Sequence, residues 1–118
     1  MKLIQAIIRP EKEHEVIASL EKAGVNAFTR LGVLGRGRQK GLRVGQVHYE
    51  ELAKVWLMVA VRDADVERAV DAMRTAARTG NPGDGKVFVL PLVESRTIRT
   101  RSKDAENETP LSSPVSTS

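Results

Sequence analysis

The chain has no cysteine, two histidines and only 3% aromatic residues in 118 positions. Without thiols there is no disulfide, zinc–thiolate centre, iron–sulfur cluster or cysteine nucleophile. His14 and His48 stand alone, which disfavours a histidine metal site or a catalytic triad. Ser19, Ser95 and Ser102 have no histidine at a suggestive position, and the glutamates of the first helical segment read as surface charges. No nucleophile and base can be paired, so the chain does not read as an enzyme. No apolar run approaches the ~18 residues of a membrane span. The opening MKLIQAIIRPEKE meets charge too early for a signal peptide. A cytoplasmic protein without membrane insertion is expected, and its length suits one small domain.

Charge is present but unevenly spread. The net charge is +4, with 19 Lys and Arg against 15 Asp and Glu. Residues 103–118 hold Lys103 against Asp104, Glu106 and Glu108, which leaves 18 basic and 12 acidic residues in 1–102. Arg30, Arg36, Arg38, Lys40 and Arg43 share a fourteen-residue window without an acid. Such an excess suits phosphate, nucleic acid, a membrane surface or an acidic protein, and equally a solvated loop.

Periodicity orders the elements. Leu3, Ile4, Ala6, Ile7 and Ile8 form a short apolar run that reads as a buried strand. Pro10 opens a helix in which Val16, Ile17, Leu20 and Ala23 recur at helical spacing, and Gly24 ends it. Val25, Ala27, Thr29, Leu31 and Val33 alternate as a second strand, followed by a glycine-rich basic loop from Gly35 to Glu51. Lys54–Arg62 is a third strand, apolar on both faces. Asp63 and Asp65 stand where a cap and a first-turn acid belong. Val66, Ala69, Val70, Met73, Ala76 and Ala77 make a helical stripe ended by Gly80, and Lys86–Leu92 is a fourth strand. The order β-α-β-β-α-β is the α+β, ferredoxin-like arrangement. Right-handed crossovers place both helices on one face of a four-stranded antiparallel sheet. The other face is left apolar and uncovered, so a closed homo-oligomer is expected. After Arg101 the sequence SKDAENETPLSSPVSTS buries too little to fold, so 102–118 is expected to be a disordered tail behind a domain of 1–101.

Three stretches could hold an anion. Gly35-Arg36-Gly37-Arg38-Gln39-Lys40-Gly41 combines permissive backbone with Arg38 and Lys40, and Gln39 offers an oxygen to a hard cation such as Mg²⁺. Thr79–Lys86 contains Gly80-x-x-x-x-Gly85-Lys86, most of a Walker A pattern, but Val87 replaces its Ser or Thr. It also runs from helix to strand, so what remains is a glycine-rich amide nest beside Lys86. Arg96-Thr97-Ile98-Arg99-Thr100-Arg101 could close over a phosphate from a subunit edge, or be a solvated basic segment.

Taken together, Ile4–Pro10, the Gly-Arg-Gln-Lys-Gly motif at 37–41 and the Thr-Gly-x-x-Gly-Asp-Gly-Lys block at 79–86 resemble the PII signal-transduction family over residues 1–101. Arg36 and the short segment 41–52 resemble its nitrogen-fixation branch, which regulates nitrogenase. The resemblance implies a homotrimer, alone or mixed with a paralogue, that binds ATP or ADP between subunits and 2-oxoglutarate alongside Mg-ATP. It places nucleotide contacts at Thr29, Gly37, Arg38, Ala60, Gly83, Asp84, Gly85, Lys86 and Arg99. It places 2-oxoglutarate contacts at Gln39, Lys40, Gly41 and Lys54, with Gln39 also on the magnesium ion. The mobile loop, about 36–52, then meets the target through Arg36, Arg43 and Tyr49. Thr97 departs from the family, which has a second phosphate arginine there, so altered nucleotide affinity or ATP/ADP discrimination is expected. Tyr49 does not align with the tyrosine modified in enteric members and reads as a partner contact or packing residue.

Three rivals remain. An RNA-binding module of the same topology would stack bases on aromatics, but only Trp56 is available in the central strands. An acyl-phosphatase-like enzyme would need a water-activating group that Arg9-Pro10-Glu11 does not supply. A general PII regulator of an ammonium channel or glutamine synthetase differs from the nitrogenase reading only in its partner.

Overall fold

A computed structural model describes residues 1–36, 51–104 and, as backbone, 42–44 and 47–49. The first apolar run is strand β1 (Lys2–Ile8). Ile4, Ala6 and Ile8 alternate into the core and are at most 2% exposed. Pro10 starts a 3-10 turn (Pro10–Lys12) that runs into helix α1 (Glu13–Lys22). Gly24, at φ 91°, reverses the chain. The Gly24 and Val25 amides then bond back to the carbonyls of Glu21 and Leu20, at 3.0 and 2.9 Å. This is a Schellman closure with its hydrophobic contact. It tucks Val25 into the core, so strand β2 is Thr29–Gly35 and starts later than the alternation from Val25 suggests.

The long connection is not all loop. It contains strands β3 (Leu42–Val44) and β4 (Val47–Tyr49), paired antiparallel. Strand β5 (Leu52–Val61) begins two residues earlier than expected, because Leu52 already pairs with Gly35 of β2. A 3-10 turn (Asp63–Asp65) leads into helix α2 (Val66–Ala77). Neither aspartate caps α2 through its side chain. Asp63 bonds the Met1 amino group and Lys2, whereas Asp65 is buried and pairs with Arg62 and Arg68. Helix α2 stops at Ala77, before Gly80, because Arg78 turns extended and the Thr79 amide bonds the Asp84 carboxylate. Strand β6 is Lys86–Pro91.

The four long strands form one antiparallel sheet in the order β2-β5-β1-β6. With both helices against it, this is the ferredoxin-like fold. Val55, Leu57, Val59 and Val61 join Ile4, Ala6 and Ile8 under Val16 and Leu20 of α1 and Ala69, Met73 and Ala77 of α2. The opposite face presents Leu31, Trp56, Met58, Phe88 and Leu90 by register. Leu31 is 57% exposed and Phe88 46%. The two-layer chain therefore leaves an apolar sheet face open. Glu13 is not a plain surface charge: it holds Arg30 at 2.7 Å and ties β2 to α1.

Candidate functional site

One end of the open face is built by a turn. The stretch Arg78–Gly85 connects α2 to β6, the helix-to-strand direction read from the sequence. Its shape is set by Asp84. One carboxylate oxygen accepts the Thr79 and Gly80 amides, both at 2.9 Å; the other accepts the Thr79 hydroxyl at 2.5 Å and Arg9 Nε at 3.0 Å. Donors on both oxygens favour the ionised form, and these bonds, the Thr79 hydroxyl foremost, hold the Asp84 carboxyl far below the usual carboxylate range. Arg9 also donates to the Pro82 carbonyl at 2.8 Å, so the end of β1 clamps the turn at two points.

Gly85 is obligatory in this clamp. At φ 100° an added Cβ would lie 1.7 Å from the Ile7 carbonyl oxygen. The turn therefore lies against the β1 backbone, where only hydrogen fits. Gly83, also at φ 100°, packs on the Arg9 guanidinium. The amide nest read from the sequence is thus partly filled by its own aspartate. The Thr79 and Gly80 amides are spent on Asp84, while Gly83 and Gly85 line a cavity.

That cavity, about 600 Å³, is also lined by Lys54, Lys86 and Arg36, with Ile7, Leu52 and Phe88 among its apolar walls. Lys54 is 9% exposed and donates to the Gly83 carbonyl at 2.5 Å. Burial, and then the charge of Arg9, lower its pKa. An ammonium has three donors, so two remain for a ligand. Cations over an apolar wall suit a small polyanion with an organic body.

The other residues singled out by sequence fall into separate groups. Thr29 and Ala60 are exposed on the same sheet face but towards its other end. Ala60 is six positions along β5 from Lys54, roughly 20 Å at the usual rise. Arg99 lies in the segment after β6, exposed and outside the cavity. Arg43 and Tyr49 are on the β3–β4 hairpin, opposite His48 and Leu42. Gly37, Arg38, Gln39, Lys40 and Gly41 lie outside the described residues. Sequence reasoning missed Arg9 and Thr79 as the groups that hold the turn. Their signal is slight: an arginine ending a buried strand, and one acid in a glycine-rich turn.

Of the expected tail, Ser102, Lys103 and Asp104 fold back on residues 95–97, and 105–118 lie outside the described residues. Arg96 bridges Lys103 in antiparallel fashion, so the chain turns instead of continuing as a strand. No helix among the described residues is long and apolar enough to cross a membrane.

Residues 1–102 match the family model for nitrogen regulatory protein P-II. The chain is 49% identical over 100 residues to "Nitrogen fixation nifHD region GlnB-like protein 1" of Methanothermococcus thermolithotrophicus, covering 85% of this chain and 95% of that protein. It is 46% identical over 103 residues to the protein of the same name from Methanothermobacter marburgensis, covering 87% and 98%. It is 42% identical over 110 residues to the nitrogen regulatory protein P-II of Azospirillum brasilense, covering 90% and 98%.

Proposed function

The chain belongs to the nitrogen regulatory protein P-II family, and on that premise we propose that it reads adenine nucleotides and 2-oxoglutarate and reports them to a protein target. Its relatedness to proteins of nitrogen-fixation nifHD regions makes nitrogenase the target of choice. The observation that carries the reading is the cavity, where the Gly83–Gly85 turn meets Lys54, Lys86 and Arg36. The turn supplies close-approach backbone, and the cations supply charge for a triphosphate. The Asp84 carboxylate, already bonded on both oxygens, acts by holding this shape.

A single protomer holds only parts of such a site. Thr29 and Ala60, proposed for the adenine end, and Arg99, proposed for phosphate, lie away from the cavity. A second copy packed on the open sheet face brings one protomer's cavity to another's far end. The proposed state is therefore a homotrimer with the nucleotide between copies. Gly37 and Arg38 join the phosphate site. No described group of three His, Cys, Asp or Glu residues could hold a metal. A magnesium ion would arrive with the nucleotide, and Gln39 is the residue that would hold it. When bound, Mg-ATP supplies a cation for the 2-oxo acid end of 2-oxoglutarate. Lys54 takes the far carboxylate, and Lys40 and Gly41 lie at the same subsite. The segment 36–52, with Arg36, Arg43 and Tyr49, connects this site to the target. Because Gln39 sits on that segment, effector binding and target binding are coupled in both directions.

Calorimetric titration of 2-oxoglutarate in the presence of Mg-ATP, and then of ADP, tests the reading. Strong heat with Mg-ATP and little with ADP is expected, and Lys54→Gln is expected to remove it. Equal heats under both conditions overturn the coupled sensor.

A further inference from the structure

A second cavity lies on the helix side of the sheet, where the end of α2 meets the start of β6. Its volume is about 380 Å³. Ile4 and Ala6 of β1 face the helices, and Val89 and Val87 of β6 stand opposite them in register. Val89 is nonetheless 45% exposed, so the helix layer leaves the edge strand partly bare. The cavity opens beside this strand, and its floor is apolar: Val70, Met73 and Ala77 from α2, and Val87 from β6.

Its rim is cationic. Arg74 stands in the last turn of α2 and Arg78 directly after it, and both line the cavity. Both are exposed, and among the described residues nothing pairs with either guanidinium. Lys86 lines the same cavity, also without a described partner. The acid at the rim, Asp84, has both oxygens bonded by Thr79, Gly80 and Arg9, and Arg9 Nε lies 3.0 Å from it. The helix dipole favours cations in a last turn, which accounts for their position but not for the apolar hollow beneath them.

We propose that this cavity is a second ligand site, for a small organic acid with an apolar body. The body lies on Met73 and Val87, and Arg74 and Arg78 take the carboxylate. Each guanidinium fork can bond a carboxylate through two donors, so the pair satisfies its charge without Lys86. At roughly 30 Å³ per water-sized group, the volume suits about a dozen non-hydrogen atoms. The inference does not rest on the nucleotide reading. The two cavities lie on opposite faces of the sheet and share only Ile7, Gly85 and Lys86 among their lining residues.

The test is an NMR titration of the full chain, labelled at its methionine methyl groups, with no nucleotide present. Of the three methionines, Met73 lines this cavity, whereas Met58 lies on the open sheet face. Octanoate is the probe, with octanamide and acetate beside it. Octanoate is expected to shift the Met73 signal saturably and to leave Met58 in place. Octanamide lacks the charge and acetate lacks the body, so each is expected to bind about tenfold more weakly or worse. Arg74→Gln and Arg78→Gln are each expected to weaken octanoate about tenfold, the scale of one charge-assisted bond. Lys22→Gln, which removes an exposed cation from α1, is expected to change it less than about twofold. A Met73 signal that stays in place at millimolar octanoate, a shift at Met58 in its stead, octanamide binding like octanoate, or arginine variants binding like the parent chain each overturns the site.

Discussion

Two aspartates each organise a turn that presents cations, and they do so by different means. Asp84 is tied to the sheet: Arg9 at the end of β1 reaches across to it, and Gly85 lies against the Ile7 carbonyl. Asp104 is tied to its own neighbourhood, Ser95 and Thr97, with no anchor in the sheet among its hydrogen bonds. The first turn is therefore as firm as the core beneath it. The second is only as firm as a few local bonds. Bonds within one short segment contribute little to global stability, so the second turn is expected to open without unfolding of the domain.

The contrast can be broken most sharply at Gly85. Gly85→Ala places Cβ on the β1 backbone at positive φ, and a loss of about 3 kcal/mol or more is expected in denaturant unfolding. A stable, nucleotide-binding Gly85→Ala protein would show that the turn is not fixed by the sheet. Next in size, Asp84→Ala strands the amides of Thr79 and Gly80 and the Arg9 guanidinium. A loss of about 1–3 kcal/mol follows, and a double-mutant cycle with Arg9→Ala should show strong coupling.

A pH series sharpens the same point. The folded pKa of Asp84 is depressed, so its stabilisation is complete above the unfolded carboxylate value of about 3.9 and is lost as pH falls below it. Thermal unfolding should therefore weaken steeply on the acid side, and Asp84→Asn should flatten that slope. The smallest effect is expected at the other turn. Asp104 is also depressed, by Ser95 and then Thr97, but it lies in an exposed hairpin. Asp104→Ala is expected to leave the denaturant midpoint of global unfolding close to that of the parent chain. Hydrogen exchange should nonetheless register it at the amides of residues 101 and 104.

The layout of this fold was legible from periodicity, with errors where a local bond competed. Alternation from Val25 suggested an early strand, yet the Schellman closure at Gly24 drew Val25 into the core instead. Gly80 looked like the end of α2, yet the Asp84 carboxylate took the Thr79 amide first. The β3–β4 hairpin was read as loop because its three-residue strands are too short for a pattern. In the candidate site, Gly83, Gly85, Lys86 and Lys54 were named from motif resemblance, and the structure places all four around one cavity. Arg9 was invisible as a clamp, because its partners Asp84 and Pro82 lie more than seventy residues away.

By itself the sequence determined the order of the four sheet strands and two helices, the absence of thiol chemistry and the stretches rich in glycine and cations. These are properties of composition and of near neighbours along the chain. Only the tertiary structure decided that Asp84 is a scaffold, that Thr97 bonds Asp104 and that Lys54 faces Gly83. Each of those roles depends on which donor reaches which acceptor across the fold, and hydrogen bonds of that kind leave no period in a sequence.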